Sequence, residues 1–154
     1  MSVDAAALEM PDQFTDWLDL EVEEDQPALP RVRLAFIPSG RWASIMARRN
    51  ACTKGRAKLV ERIEDGSTED VAADCEKLGR FETQLLQVAG EVVGLSLREI
   101  EGREPLQLEG CALLADELEP LVVDGVFWPC YNAIMRAHWL DASTARALFR
   151  RRLG

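Results

Sequence analysis

The most regular pattern in the chain lies between residues 68 and 93, where apolar positions recur in steps of three and four. That spacing predicts an amphipathic helix with one apolar stripe. The stripe contains Val71, Cys75, Leu78, Phe81, Leu85, Ala89 and Val92. A second helix is predicted over 40–64, capped by Ser39 and either continuous or broken at Gly55, which costs roughly 1 kcal/mol relative to alanine. The turn at 64–67 joins the two helices into an antiparallel hairpin.

Three shorter helices are predicted to follow, over 111–118, 126–140 and 142–153. Pro120 marks either the end of the first of them or the start of the next, because proline interrupts a helix interior, and Asp141 is placed to cap the last. Apolar residues occupy nearly every side of the 126–140 helix. This helix is therefore either central in the core or shared with a partner.

A short strand is predicted over residues 31–38, where apolar side chains alternate with others until Pro38. A lone strand needs a partner, and the best local candidate is the 94–108 region, which breaks the helical pattern. The predicted fold is mainly α, with a helical hairpin, C-terminal helices and one short β element. A chain of 154 residues is too short for two full cores, so these elements are expected in a single small domain.

Charge is unevenly distributed along the chain, whose formal net charge is 18 − 27 = −9. Residues 1–30 hold nine acids and no lysine or arginine, whereas residues 31–154 hold eighteen acids and eighteen bases. This pattern predicts an acidic, weakly ordered arm over 1–30 and an α-helical domain over 31–154. The acidic-aromatic piece around Trp17 is expected either to fold against a partner or to pack back on its own domain.

The sequence contains none of the motifs that usually carry catalysis, such as a nucleophile elbow, a glycine-rich phosphate loop or a zinc-protease helix. The four cysteines, at 52, 75, 111 and 130, form no C-x-x-C pair and are expected to be buried small hydrophobes in a reduced compartment. His138, the one histidine, lies in an apolar helix and is expected to be packed or partner-facing. We therefore predict a non-enzymatic protein without a metal or cofactor. Neither a membrane span nor a secretory signal is expected.

Six bases and no acid occupy residues 41–58. One interpretation of this stretch is contact with a phosphate backbone. The other is charge complementarity within the protein, because the predicted helix at 67–93 carries six acids and two bases and the arm carries nine more acids. The second interpretation accounts for the stretch without nucleic acid, and the acidic overall balance agrees with it.

The aromatic residues of the 126–140 helix are the candidate partner-binding residues, together with Trp17 of the arm. They are Phe127, Trp128, Tyr131 and Trp139. At 100° per residue, positions 126, 131 and 139 spread around the helix. One side of this helix is therefore expected to be core and another to be available to a partner.

The order of elements resembles the tail assembly chaperones of long-tailed bacteriophages over roughly residues 31–140. In that family an acidic or variable arm precedes a strand that leads into a Trp-containing helix, as residues 32–42 do here. After a helical hairpin comes an apolar–Gly pattern, an acidic turn with glycine, and Pro-Leu. Residues 93–95 and 101–106 match those features. Two further helices follow.

This resemblance implies a non-enzymatic protein that binds the tape-measure and tail-tube proteins in the host cytoplasm until the tube polymerises. A homo-oligomer is a further expectation. Two other classes stay open from the residues alone. One is a minor structural or adaptor component of a virion, and the other is a small nucleic-acid-binding regulator that uses residues 41–58 and the C-terminal arginines 150–152.

Overall fold

The computed structural model describes residues 14–138, and within them helices predominate. The elements, in chain order, are β1 (Val32–Leu34), α1 (Ser39–Asp65), α2 (Val71–Ser96), β2 (Leu97–Ile100), β3 (Leu108–Glu109), β4 (Ala112–Leu113), α3 (Ala115–Val123) and α4 (Phe127–His138). The prediction of a mainly α single small domain is confirmed. The described residues hold two strand pairs, β1–β2 and β3–β4, where the sequence predicts one β element. The predicted helix over 142–153 and its cap Asp141 lie outside the described residues.

The contacts of the domain group into two compact units. Residues 38–91 form one of them, which we call the hairpin unit. The chain on either side of the hairpin, residues 14–37 and 92–138 of the described part, forms the other, which we call the sheet unit.

α1 is one continuous helix through Gly55, which settles the alternative that the sequence leaves open. A Cβ at Gly55 would lie 2.5 Å from the Cζ atom of the Phe81 ring, so the glycine makes room for an aromatic side chain of α2. The predicted Ser39 cap is wrong. The N-cap is Pro38, whose carbonyl accepts a hydrogen bond from the Trp42 N–H at 2.8 Å, and Ser39 is already the first helical residue.

Ion pairs between the two helices run along the hairpin in antiparallel order. Arg48 pairs with Glu91 at 2.8 Å, and Arg56 pairs with Glu82 at 3.4 Å. Nearer the turn, Arg62 donates at 2.8 Å to a carboxylate oxygen of Asp74, which is only 6% exposed. Thr68 donates to the other oxygen of that carboxylate. Both oxygens of a buried acid are thus satisfied, as burial of a charge requires.

Burial along the predicted α2 stripe rises toward the end of the helix. Val71 is 55% exposed and Cys75 is exposed, whereas Ala89 and Val92 are 2% and 0% exposed. The expectation of four buried cysteines is therefore wrong for Cys75, and it is also wrong for Cys111. No disulfide joins any of the four cysteines, all of which lie within the described residues.

β1 pairs antiparallel with β2, which confirms the predicted partner region for the strand. Arg33 lies opposite Glu99 and Leu34 lies opposite Leu97, so Arg98 has no partner in the register. Such a bulge re-aims the side chain of the extra residue. Arg98 uses this freedom to donate hydrogen bonds to the carbonyl oxygens of Gly94, Leu95, Leu97 and Cys111.

The described part of the arm lies on the other edge of β1. Leu18 and Val32 exchange backbone hydrogen bonds of 2.8 and 3.0 Å, and Phe14 forms a bridge with Ala35. Leu20 is only 7% exposed. Residues 14–20 of the arm therefore pack back on their own domain, which is one of the two alternatives that the sequence leaves open. The weak order expected for the rest of 1–30 stays a prediction.

α3 begins at Ala115, four residues later than predicted, because β4 occupies the preceding positions. It also continues past Pro120, which the sequence assigns to its end or to the start of the next helix, and both alternatives are wrong. The carbonyl of Asp116, which would otherwise accept from residue 120, belongs to an exposed residue, so water can satisfy it. Pro129 lies in the first turn of α4, where proline is tolerated.

Candidate partner-binding surface

The turn between α3 and α4 is set by Gly125, whose φ of 74° is a left-handed conformation that favours glycine. The Gly125 N–H donates to the Val122 carbonyl at 3.2 Å, and the Val126 N–H donates to the Leu121 carbonyl at 2.9 Å. This pair of bonds is the Schellman arrangement of a helix C-terminus. Leu121 and Val126, which the arrangement brings into contact, are each 1% exposed.

The same turn leaves two apolar residues facing outward. Val122 is 56% exposed and Val123 is 80% exposed. Directly beyond the turn, Trp128 of α4 is 46% exposed. We call these three residues, Val122, Val123 and Trp128, the apolar corner. The two valines are not among the predicted partner-binding residues, although Asp-Gly after a short apolar run is the signal of a glycine-ended helix that could have located them.

Aromatic contacts hold the exposed tryptophan in place. The rings of Phe127 and Trp128 meet edge to face with centroids 5.0 Å apart, and those of Trp128 and Tyr131 do so at 5.6 Å. Such pairs are each worth about 0.5–1.5 kcal/mol beyond their buried area. Trp128 is therefore an oriented side chain with a large apolar surface still exposed.

The predicted partner-binding residues separate into different environments. Phe127 is only 6% exposed and belongs to the core, so it presents little surface to a partner here, and its role in partner binding stays a prediction. The reason for its burial is position: Phe127 follows the buried Val126 directly, and α4 turns it inward with Cys130 and Ile134. Tyr131 is half-buried. Trp139 lies outside the described residues.

Trp17 lies where the pairing between the arm and β1 is irregular. The bridges join Phe14 to Ala35 and Leu18 to Val32, so the arm spans four steps where β1 spans three. The extra residue lies between the bridges, where Asp16 and Trp17 are both exposed, and Trp17 is 40% exposed. An ion pair between Glu21 and Arg136 ties the segment after Trp17 to α4.

Acidic residues occupy the same segment of the chain as the apolar corner. Residues 115–128 contain Asp116, Glu117, Glu119 and Asp124 and no basic residue. Asp124 is paired at 3.0 Å with Arg103. Asp116 and Glu117 lie in the first turn of α3, where the helix dipole favours acids, but Glu119 lies beyond that turn.

His138 is packed within the sheet unit. The Ile37 N–H donates to its Nε2 at 2.8 Å, and its Nδ1 lies 2.8 Å from the Ile134 carbonyl. These contacts fix the neutral form with the proton on Nδ1, since Nε2 must accept. Burial lowers the pKa of His138, and the hydrogen bond to Ile134 opposes that shift. Both ring nitrogens of His138 are therefore engaged in hydrogen bonds to the backbone, and the imidazole has a structural role rather than one in proton transfer.

Burial shifts the pKa values of two other side chains, Cys130 and Arg98. Burial raises the pKa of the Cys130 thiol to about 12, which removes its reactivity as a thiolate at neutral pH. Burial also lowers the pKa of Arg98, whose Nε is buried without a hydrogen-bond partner among the described residues. The four backbone carbonyls that Arg98 reaches lie at the end of α2 and beside β4, so this cation closes a helix C-terminus.

The basic stretch at 41–58 faces acids of the same unit at two of its positions. Arg48 and Arg56 are paired with Glu91 and Glu82 of α2. This geometry agrees with charge complementarity within the protein, the interpretation that needs no nucleic acid.

Within residues 14–138 no group of three histidine, cysteine or acidic side chains is arranged to hold a metal ion. No described helix has the length and apolar character needed to cross a membrane. Comparisons with protein-family models, with curated proteins and with solved structures each find no match for this chain.

Proposed function

We propose that the protein is a non-enzymatic tail assembly chaperone of a long-tailed phage. It would bind the tape-measure and tail-tube proteins in the host cytoplasm before the tube polymerises. The proposal rests on the resemblance in the order of elements over roughly 31–140 and on the site geometry. The resemblance supplies the identity of the clients, and the geometry supplies a surface on which a client can bind.

The observation that carries the proposal is the apolar corner. Val122, Val123 and Trp128 present apolar side chains to solvent while their neighbours Leu121 and Val126 are buried. An exposed group of large apolar residues with an oriented tryptophan is typical of a partner-binding surface. Exposed single apolar residues need no such explanation, but three within seven positions around one turn form a local group.

The same surface suits a permanent virion component, which is the second candidate. The two roles differ in where the protein ends up. A chaperone is expected to leave before the tail is complete, whereas an adaptor stays in purified particles. Immunodetection of the chain in purified virions decides between the two roles.

Co-expression with the tape-measure protein encoded in the same genome tests the proposal. We expect the two proteins to co-purify and the Val122→Ser substitution to reduce the amount recovered. Val71→Ser is the matched control, because Val71 is 55% exposed against 56% for Val122 and lies in the hairpin unit. Failure of the unsubstituted chain to retain the tape-measure protein would overturn the proposal. An equal loss with both substitutions would show that the apolar corner is not the binding surface.

A further inference from the structure

We propose that the apolar corner binds a basic amphipathic helix, with its apolar face on Val122, Val123 and Trp128 and its lysines or arginines beside the acids of α3. This inference rests on the proposed function only for the identity of the client. It specifies the chemistry of the segment that any client would have to present.

The outward face of α3 carries both acids and an apolar residue. At 100° per residue, Asp116, Glu119 and Val123 lie within 60° of one another. They lie on the side opposite Leu121, which is 1% exposed. Asp116 and Glu119 are both exposed. The solvent face of this helix therefore combines acids with an apolar residue along one line.

The second step is the position of Trp128 relative to that face. The Leu121 carbonyl and the Val126 N–H are 2.9 Å apart, so the chain closes on itself between the two helices. Val122 and Val123 lie within the loop that this hydrogen bond closes. Trp128 lies two residues after Val126, where the loop ends. The three exposed apolar side chains thus lie within seven positions around one turn of the sheet unit.

The third step is the rigidity of the anchor. Trp128 makes edge-to-face contacts with both Phe127 and Tyr131. A side chain that is already oriented loses less conformational entropy on binding. Tryptophan is also among the residues most enriched at binding hot spots.

The fourth step is the negative charge of the segment around the apolar corner, which favours a basic partner. The segment 115–128 carries four acids and no base. Only Asp124 among these acids has a cationic partner among the described contacts, namely Arg103. An acidic partner would be repelled, whereas a basic one gains favourable long-range attraction. A helix supplies apolar residues at intervals of three and four on one face, which suits a small apolar corner flanked by charge.

Three synthetic 18-residue peptides test the inference, each measured by isothermal titration with the full chain. One is a leucine–lysine amphipathic helix, the second has glutamate in place of every lysine, and the third has the composition of the first in a scrambled order. We expect the basic helix to bind at least about tenfold more tightly than either of the others, with an affinity that falls as salt rises. Equal binding of the acidic and basic helices would overturn the inference.

Two pairs of variants locate the site. Val122→Ser is expected to weaken binding of the basic helix at least about fivefold and Val71→Ser to leave it unchanged. The double substitution Asp116→Asn with Glu119→Gln is expected to weaken binding about threefold or more and to flatten its salt dependence. Glu61→Gln with Glu64→Gln is its control, because these acids are also exposed and three residues apart on a helix. Circular dichroism confirms that each variant is folded at the titration temperature.

The outcomes separate this inference from the proposed function. If the tape-measure protein co-purifies but neither peptide preference nor the α3 variants have an effect, the function stands and the basic-helix inference is wrong. If the basic helix binds at the apolar corner but the tape-measure protein does not co-purify, the inference stands and the client is wrong. Equal losses with Asp116/Glu119 and Glu61/Glu64 variants would show that only net charge matters, which also overturns the inference.

Discussion

The hairpin unit and the sheet unit are stabilised in different ways. In the hairpin unit, ion pairs such as Arg48–Glu91 follow the two helices, and most residues on either helix are exposed or half-buried. In the sheet unit, β1 pairs with β2 across more than sixty residues of chain, and the largest fully buried side chains gather there. Ile45 is the one member of that fully buried group that belongs to the hairpin unit.

This difference shows which unit contributes more buried apolar area to stability. Burial of an aliphatic side chain contributes about 1.5–3 kcal/mol, whereas an exposed ion pair contributes about 0–1 kcal/mol. The sheet unit is therefore expected to dominate the free energy of unfolding. The hairpin unit depends more on local helix formation and on close approach of its two helices.

The largest expected effect is in the sheet unit. Ile134→Ala is expected to lower the free energy of unfolding by about 2–5 kcal/mol, because Ile134 is 0% exposed and its removal leaves a cavity. Leu86→Ala, at a position 57% exposed in the hairpin unit, is expected to change it by no more than about 0.5 kcal/mol. Urea unfolding followed by circular dichroism measures both. Similar losses of unfolding free energy for the two substitutions would contradict the proposed difference between the units.

A smaller effect is expected where the hairpin helices approach each other. Gly55→Ala gains roughly 1 kcal/mol of helix propensity, but its Cβ would overlap the Phe81 ring. Overpacking of this kind costs about 1–3 kcal/mol, so the net result is a loss of up to about 2 kcal/mol. Combining Gly55→Ala with Phe81→Ala should remove the overlap and make the two effects non-additive. Additive free energies in this double-mutant cycle would show that the ring is not what requires glycine.

The smallest effect is a pH dependence in the sheet unit. Burial lowers the folded-state pKa of His138 below its ordinary value of 6.5. Between those two pKa values the unfolded chain binds more protons than the folded one, so stability falls as the pH drops below about 6.5. Above that pH the group contributes no pH dependence.

Unfolding midpoints at pH 7.5 and 5.5 measure this dependence, and His138→Gln is the control because it removes the one histidine of the chain. The difference between the two midpoints should be larger in the unsubstituted chain than in the variant. An identical difference would show that His138 does not titrate as its contacts require.

The hairpin unit was also the more predictable one from sequence. The boundaries of α1 differ from the predicted 40–64 by one residue at each end, because periodicity and the glycine turn are local signals. The apolar stripe of α2 predicts which residues share one side of the helix but not how deeply that side is buried, since Val71 and Cys75 at its start are exposed. Periodicity reports which positions share a face and not how much of that face is covered.

The sheet unit was predicted less completely because its details are non-local. Alternation in 31–38 identifies a strand, but the bulge at Arg98 depends on the register between two distant segments. Phe127 and Trp128 are adjacent aromatic residues with no difference in type that would assign one to the core. Their burial is decided by the Gly125 turn, which fixes the direction in which α4 begins.

Hydrogen exchange of the full chain, with and without the tape-measure protein, tests the central claim most directly. The account predicts slower amide exchange on binding across residues 119–131, which contain the apolar corner, and little change along α1 of the hairpin unit. Protection confined to the hairpin unit, with residues 119–131 exchanging as in the free protein, would contradict it.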